Sequence, residues 1–373
     1  MTLGSHPRFS RRTLFAAATL PILTARLGQR SAFGVNRVAA QSATRTYWPT
    51  AGWRTTLPAA VGLDPAALEA VDARAVAEVP NLSALLAVRN GYLVFERSYN
   101  GYQPSTPINT RSVTKSVTAT LVGIAIAEGD ISGLDATIGE LIPDRIPVGA
   151  DPAIADVTLS QLLTMTSGIA WPTYGEWQTL TGSENWVEFV LSQPVIDPTG
   201  STYVYNTGGS HLLGVIVAEA TGQPLEAYAE DRLFRPLGIA PGDWMRAPQG
   251  EPSAGSGLEL TARDMAKFGF LYLNQGEWDG AQIVPADWTT AATTYQSVGD
   301  ATGGYAAYGY QWWVTQTAAG YPAAFALGYG GQHIFLVPAL DLVVVAGLER
   351  RVPPEELVTP RYLIEGIVGA VVG

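Results

Sequence analysis

The sequence predicts an α/β (α+β) chain in which an antiparallel sheet is flanked by helices and carries an inserted, mostly helical lobe. Three observations lead there. Strand-like runs gather near both ends of the chain, at 82–98 and 308–347, while the middle, about 136–290, is rich in helical segments. A sheet assembled from both ends with a lobe beside it accounts for that order. The third observation is SVTKSVTATLVGIAIAE at 112–128, a long and mostly apolar run with the character of a helix buried in a domain centre.

The chain opens on an address. SRRTLF at 10–15 leads into the short apolar run LFAAATLPIL at 14–23, the pattern of an export signal. Adjacent Arg11 and Arg12 point to the twin-arginine route, and VAA at 38–40 offers a cleavage site after Ala40. The expected division is a signal over 1–40, an extension over 41–59 and one domain over 60–367. Its sheet part spans about 60–135 and 291–367, and its lobe about 136–290. The mature protein is expected to be periplasmic or extracellular, without stable membrane insertion.

Along the body, residues 64–78 predict a helix with Asp64 as N-cap and Pro65 in the first turn. Asn90-Gly91 between two strand-like runs predicts a hairpin. Helical patterns recur at 158–168, 211–222 and 261–276, each closed by Gly. Strands are expected at 308–314, 333–338 and 341–347, and a covering helix at about 354–371.

Composition narrows the function. The 373 residues are 47% hydrophobic and include no cysteine, which excludes disorder of the whole chain, disulfides, thiolate metal sites and a Cys nucleophile. Residues 1–40 hold six Arg and no acid, so the rest carries 16 basic against 33 acidic side chains. A body that acidic lacks the footprint for nucleic acid and repels anionic lipid.

The sharpest chemical signal is Ser112-Val113-Thr114-Lys115. Three-residue spacing on a helix puts hydroxyl and amine on one face. A buried, uncharged Lys could take the serine proton, and a helix start offers N–H groups to an oxyanion. The residues alone leave a catalytic pair and a structural ion pair equally open. Tyr203 to Ser210 (YVYNTGGS) could relay protons and orient an amide, or could be a tight turn with Ser210 as N-cap. Gly328-Tyr329-Gly330-Gly331 could admit a substrate backbone, or be a glycine bulge. His211 and His333 read as a helix-start and a strand-surface residue rather than ligands. No HExxH or GxSxG is present. Trp171, Trp177, Trp186, Trp312 and Trp313 could line an acyl pocket or simply pack.

Taken together, INTRSVTKSVTATLVGIAIAEG, VTLSQLLTMTSGIAW, GSTYVYNTGGSHLLG, LFRPLGI, LTARDMAKFGFLYLNQGEW, YGYQWW and GYGGQHIFLVP resemble the serine beta-lactamase-like superfamily over about 60–367. They are most similar to its class C, esterase and nylon-oligomer-hydrolase branch, with a beta-lactamase/transpeptidase-like fold. The resemblance implies Ser112 as acyl-forming nucleophile, Lys115 as proton acceptor and Tyr205 as the motif tyrosine, with Tyr203 a packing residue. The amides of Ser112 and Tyr329 would form the oxyanion hole. Asn206, Thr207, Gly328, Gly330 and Trp171 would meet substrate.

Two departures stand out. Asn206 occupies the middle of the Tyr motif and Thr207 its third position, and the strand motif reads Ala326-Leu327-Gly328 without a cation. Arg111 is expected to pair with a surface acid rather than replace that cation. The resemblance implies a small ester or amide substrate and no metal or organic cofactor. The competing expectations are a beta-lactamase or D-alanyl-D-alanine carboxypeptidase-like enzyme, and a weakly catalytic binding or regulatory member.

Overall fold

The computed structural model describes residues 45–172, 176–300, 307–348 and 359–372. The segment expected to direct export lies outside them, as does the start of the helix expected at 354–371.

Helix α1 (Pro65–Glu78) begins as its sequence dictates, with the Asp64 carboxylate accepting from the Ala66 amide at 2.8 Å. Strands β1 (Leu82–Arg89) and β2 (Tyr92–Ser98) form the expected hairpin. Asn90 and Gly91 turn it with φ of 52° and 81°, as a two-residue primed turn requires. After β3 (Ile108–Asn109) a 3₁₀ turn over Arg111–Val113 leads into α2 (Thr114–Glu128), closed by Gly129 at φ 86°. The apolar run therefore starts as a tighter turn than the α-helix expected from 112.

The lobe holds α3 (Ile138–Leu141), α4 (Leu159–Leu163), α5 (Glu176–Thr181), α6 (Trp186–Leu191), α7 (Thr207–Thr221), α8 (Leu225–Ala229) and α9 (Arg235–Leu237). It continues through β4 (Glu259–Leu260), α10 (Ala262–Leu273), β5 (Glu277–Trp278), β6 (Ala281–Gln282) and α11 (Ala286–Ala292). The chain then returns to the sheet with β7 (Ser297–Val298), β8 (Ala307–Tyr308), β9 (Trp313–Gln316), β10 (Pro322–Gly328), β11 (Gln332–Val337) and β12 (Leu342–Leu348), and ends on α12 (Arg361–Gly369).

The main sheet is antiparallel with order β2-β1-β12-β11-β10-β9-β8-β7, so the first hairpin joins the last strand. Side chains alternate between its faces, and both faces are buried. Ile334, Leu336, Val343 and Val345 point toward α2, α10 and the lobe, whereas Phe335, Val337, Val344 and Ala346 point toward α1 and α12. A Cβ on Gly269 of α10 would come within 2.7 Å of Ile334, so that helix lies directly on the sheet.

Two expected elements come out differently. The run at 308–314 is two short strands, β8 and β9, split by a turn with Gln311 at φ 58°. The helix expected at 158–168 stops at Leu163 after a Thr158 capping box.

Candidate active site

The site grows from the turn before α2. Thr110 donates through both its amide and its hydroxyl to Leu258 O, at 2.9 and 2.8 Å. Thr114 donates to Arg111 O at 2.6 Å, while the Asn109 side chain accepts from the Arg111 amide at 3.0 Å. Between these ties Arg111 takes φ 53°, a left-handed conformation uncommon for a side chain of its kind. Ser112 follows, partly exposed.

Lys115 is 1% exposed, and its Nζ donates to Ser112 Oγ at 3.1 Å, Thr207 Oγ1 at 3.1 Å and Gly255 O at 2.7 Å. These three partners are two hydroxyls and a backbone carbonyl. The Tyr205 ring centroid lies 4.9 Å from Nζ, and Trp313 stacks nearly parallel to that ring at 6.1 Å and 14°. Three distant segments thus meet at one amine.

Gly255 is required by proximity, since a Cβ there would stand 2.8 Å from the Thr207 side chain. Its neighbours are stitched to α2, with Thr118 donating to Ala254 O at 2.8 Å and Leu258 N donating to Thr114 at 3.2 Å. Gln311 completes the frame. Its Nε2 donates to Leu162 O and Leu163 O, its Oε1 accepts from Ser210, and its carbonyl accepts from Ser116 at 2.6 Å. Sequence reasoning singled out neither Gly255 nor Gln311; the only signal for the latter was a glutamine set among aromatic residues in YGYQWW.

The remaining expected site residues sort as follows. Asn206 is the N-cap of α7, with Oδ1 accepting from Gly209 N at 2.8 Å, so Thr207 and not Asn206 meets Lys115. The same bond corrects the alternative with Ser210 as cap; Ser210 lies inside the helix and is fully buried. Tyr203 packs on Tyr308 and Trp313, at 5.4 and 6.1 Å. Trp171 is buried against Phe189 and the helical Gly208.

Gly328 ends β10 beside the Ser112 turn, where a Cβ would stand 2.3 Å from Thr110 O. Tyr329 follows with its side chain 55% exposed, and Gly330 at φ 88° turns the chain back toward β11. Ala326 is fully buried and paired with Ile334. Among the described residues Arg111 does not pair with an acid, contrary to expectation. Every other Lys and Arg side chain among the described residues has an ion pair, a hydrogen bond or a ring contact, and Arg111 has none.

Both body histidines are buried rather than at a surface, at 1% and 0% exposure. Burial pulls each down to about 4; for His211 the charge of Arg145 adds to this, and for His333 a bond to Gly331 O partly opposes it. His211 lies edge-on to Trp186 with neither ring nitrogen hydrogen-bonded, and His333 Nδ1 contacts Gly331 O at 2.6 Å. Neither is bonded to Ser112. Among the described residues no group of three His, Asp or Glu side chains could hold a metal, and no helix is long and apolar enough to cross a membrane.

Comparison with known proteins identifies the family. The beta-lactamase family model matches residues 73–367. The monacolin J acid methylbutanoyltransferase of Aspergillus terreus is 31% identical over a stretch covering 37% of this chain, which spans only 38% of that enzyme's length. The 6-aminohexanoate-dimer hydrolase of Paenarthrobacter ureafaciens is 26% identical over 76% of this chain and 77% of its own. The structure of EstCE1, a hydrolase with promiscuous acyltransferase activity, superposes with a TM-score of 0.65 over 83% of this chain and 98% of its own; at 18% identity it shows the fold alone. The motifs, the antiparallel sheet with its helical insertion and the family match converge: the chain belongs to the beta-lactamase family.

Proposed function

We propose that this protein is an exported serine hydrolase that cleaves a small ester or amide through an acyl-enzyme on Ser112. The observation that carries the reading is a fully buried Lys115 amine 3.1 Å from the Ser112 hydroxyl, one turn away on the same stretch of chain. Removal from water disfavours the ammonium, so the amine can serve as a base.

In this scheme Ser112 Oγ attacks the substrate carbonyl carbon as its proton passes to Lys115, with the Tyr205 phenol as relay. The carbonyl oxygen becomes an oxyanion facing the amides of Ser112 and Tyr329. Collapse breaks the bond to the leaving alcohol or amine, which departs with the proton that Tyr205 returns. Water then attacks the acyl carbon, and Ser112 recovers its proton as the acid leaves. The named activities of the relatives, hydrolysis of an aminohexanoate dimer and transfer of a methylbutanoyl group, are both acyl transfers and support this reaction class.

A fluorophosphonate followed by intact-mass measurement tests the reading. One adduct on Ser112 is expected, and labelling elsewhere overturns it. A panel of short-chain esters, a linear amide and a chromogenic cephalosporin assigns the substrate class.

A further inference from the structure

Arg111 precedes Ser112 directly in the 3₁₀ turn that leads into α2. Its backbone sits at φ 53°, where Gly or Asn would be the relaxed choice. Ties from Asn109 and Thr114 hold it there. Residues held in this conformation gather at functional sites.

That side chain is partly buried, yet among the described residues it has no ion pair, hydrogen bond or ring contact. The chain carries 33 acidic against 22 basic side chains, and among the described residues every other cation has found a partner. A guanidinium left unengaged amid surplus carboxylates, one residue from the proposed nucleophile, is positioned for an anion that the protein itself does not supply. The planar fork matches a carboxylate in two parallel bonds.

We infer that Arg111 determines specificity by receiving a carboxylate close to the scissile carbonyl of the substrate. The inference rests on the hydrolase reading above, and it narrows the substrate to monoanionic esters or amides.

The test is kcat/KM on two matched ester pairs, one with a carboxylate or its methylamide on the acyl side, the other with the same groups on the leaving side. In one pair the native enzyme should favour the anionic member by about ten- to a hundredfold. Arg111→Gln should lower that ratio at least about tenfold, and Arg111→Lys should keep part of it because the charge remains. A native ratio near or below one in both pairs overturns the inference whatever the variants do, as does an unchanged ratio in Arg111→Gln.

Glutaric acid monomethylamide, titrated calorimetrically, separates this inference from the hydrolase reading. If Ser112 is unlabelled and no ester is cleaved, the hydrolase reading fails. Weaker binding of this ligand to Arg111→Gln than to the native protein would still support the anion site, and equal binding, or none to either, would reject it.

Discussion

The two faces of the sheet are built by different physics. Against α1 and α12 the packing is carbon on carbon: Phe335 stacks on Phe325 at 5.7 Å, and Leu68, Val71, Ile364 and Ile367 close over them. Against α2 the interior is full of polar atoms that meet with direction. Lys115, Ser116, Thr118, Thr120, Ser210 and Gln311 are all nearly or fully buried and all bonded, mostly to partners more than ninety residues away in sequence. Apolar contact tolerates a change of shape, whereas an unpaired buried donor or acceptor carries its full desolvation cost. Stability and chemistry are therefore coupled directly on the second face, whereas the first reaches the site only through the stack of Phe325 on Trp313 and Trp313 on Tyr205.

Four changes probe that contrast, beginning with the largest effect. Ser112→Ala should lower ester turnover by at least about a thousandfold. Urea unfolding should move by no more than about 0.5 kcal/mol, because only a partly exposed hydroxyl is lost. Retained turnover would remove Ser112 from the chemistry.

Lys115→Met should show the coupling. Turnover should fall about a hundredfold or more. Stability should also drop by about 1–3 kcal/mol, because Gly255 O loses its donor. Lys115→Arg should be inactive too, since a guanidinium stays protonated. A variant with full activity, or one that loses activity with no change in unfolding, would break the comparison.

Phe335→Ala on the opposite face should cost about 3–5 kcal/mol. Turnover per folded molecule should not change, as active-site titration alongside thermal unfolding would reveal. A specific fall in kcat would mean that this stack carries the change into the site.

The last expected effect is pH-linked and samples both sides, with His333 on the apolar face and His211 in the lobe. Unfolded histidine binds its proton near 6.5, whereas burial holds each folded ring neutral down to about 4. Stability is thus complete above about pH 6.5 and is lost as pH falls toward 4, by up to about 3 kcal/mol per ring. Denaturant unfolding at pH 7 and 5 should register the slope, and His333→Phe should flatten part of it. An unchanged slope would place the acid sensitivity elsewhere.

Local rules recovered much of this architecture. The Asp64 cap, the Asn90-Gly91 hairpin and the Ser112-to-Lys115 spacing needed only neighbours in sequence, and the motif order placed Tyr205 ahead of Tyr203. What escaped was set by long-range contact. The 3₁₀ turn at Ser112 depends on Leu258, and Gly255 is a loop glycine until Thr207 packs on it. The start of α7 was misplaced because several capping residues stood in a row and two glycines disguised its first turn. His333 reads from sequence as a strand-surface residue because a strand buried on two faces does not alternate in polarity.

The strand order also sets a timetable. Leu85 pairs with Ala346, so about 260 residues separate the partners of one ladder. At ordinary translation rates β1 emerges about 10–50 s before β12 exists. Until then one edge of the first hairpin stays open, and the apolar side chains destined to lie over it have nowhere to pack. The sheet therefore cannot close until β12 has been made.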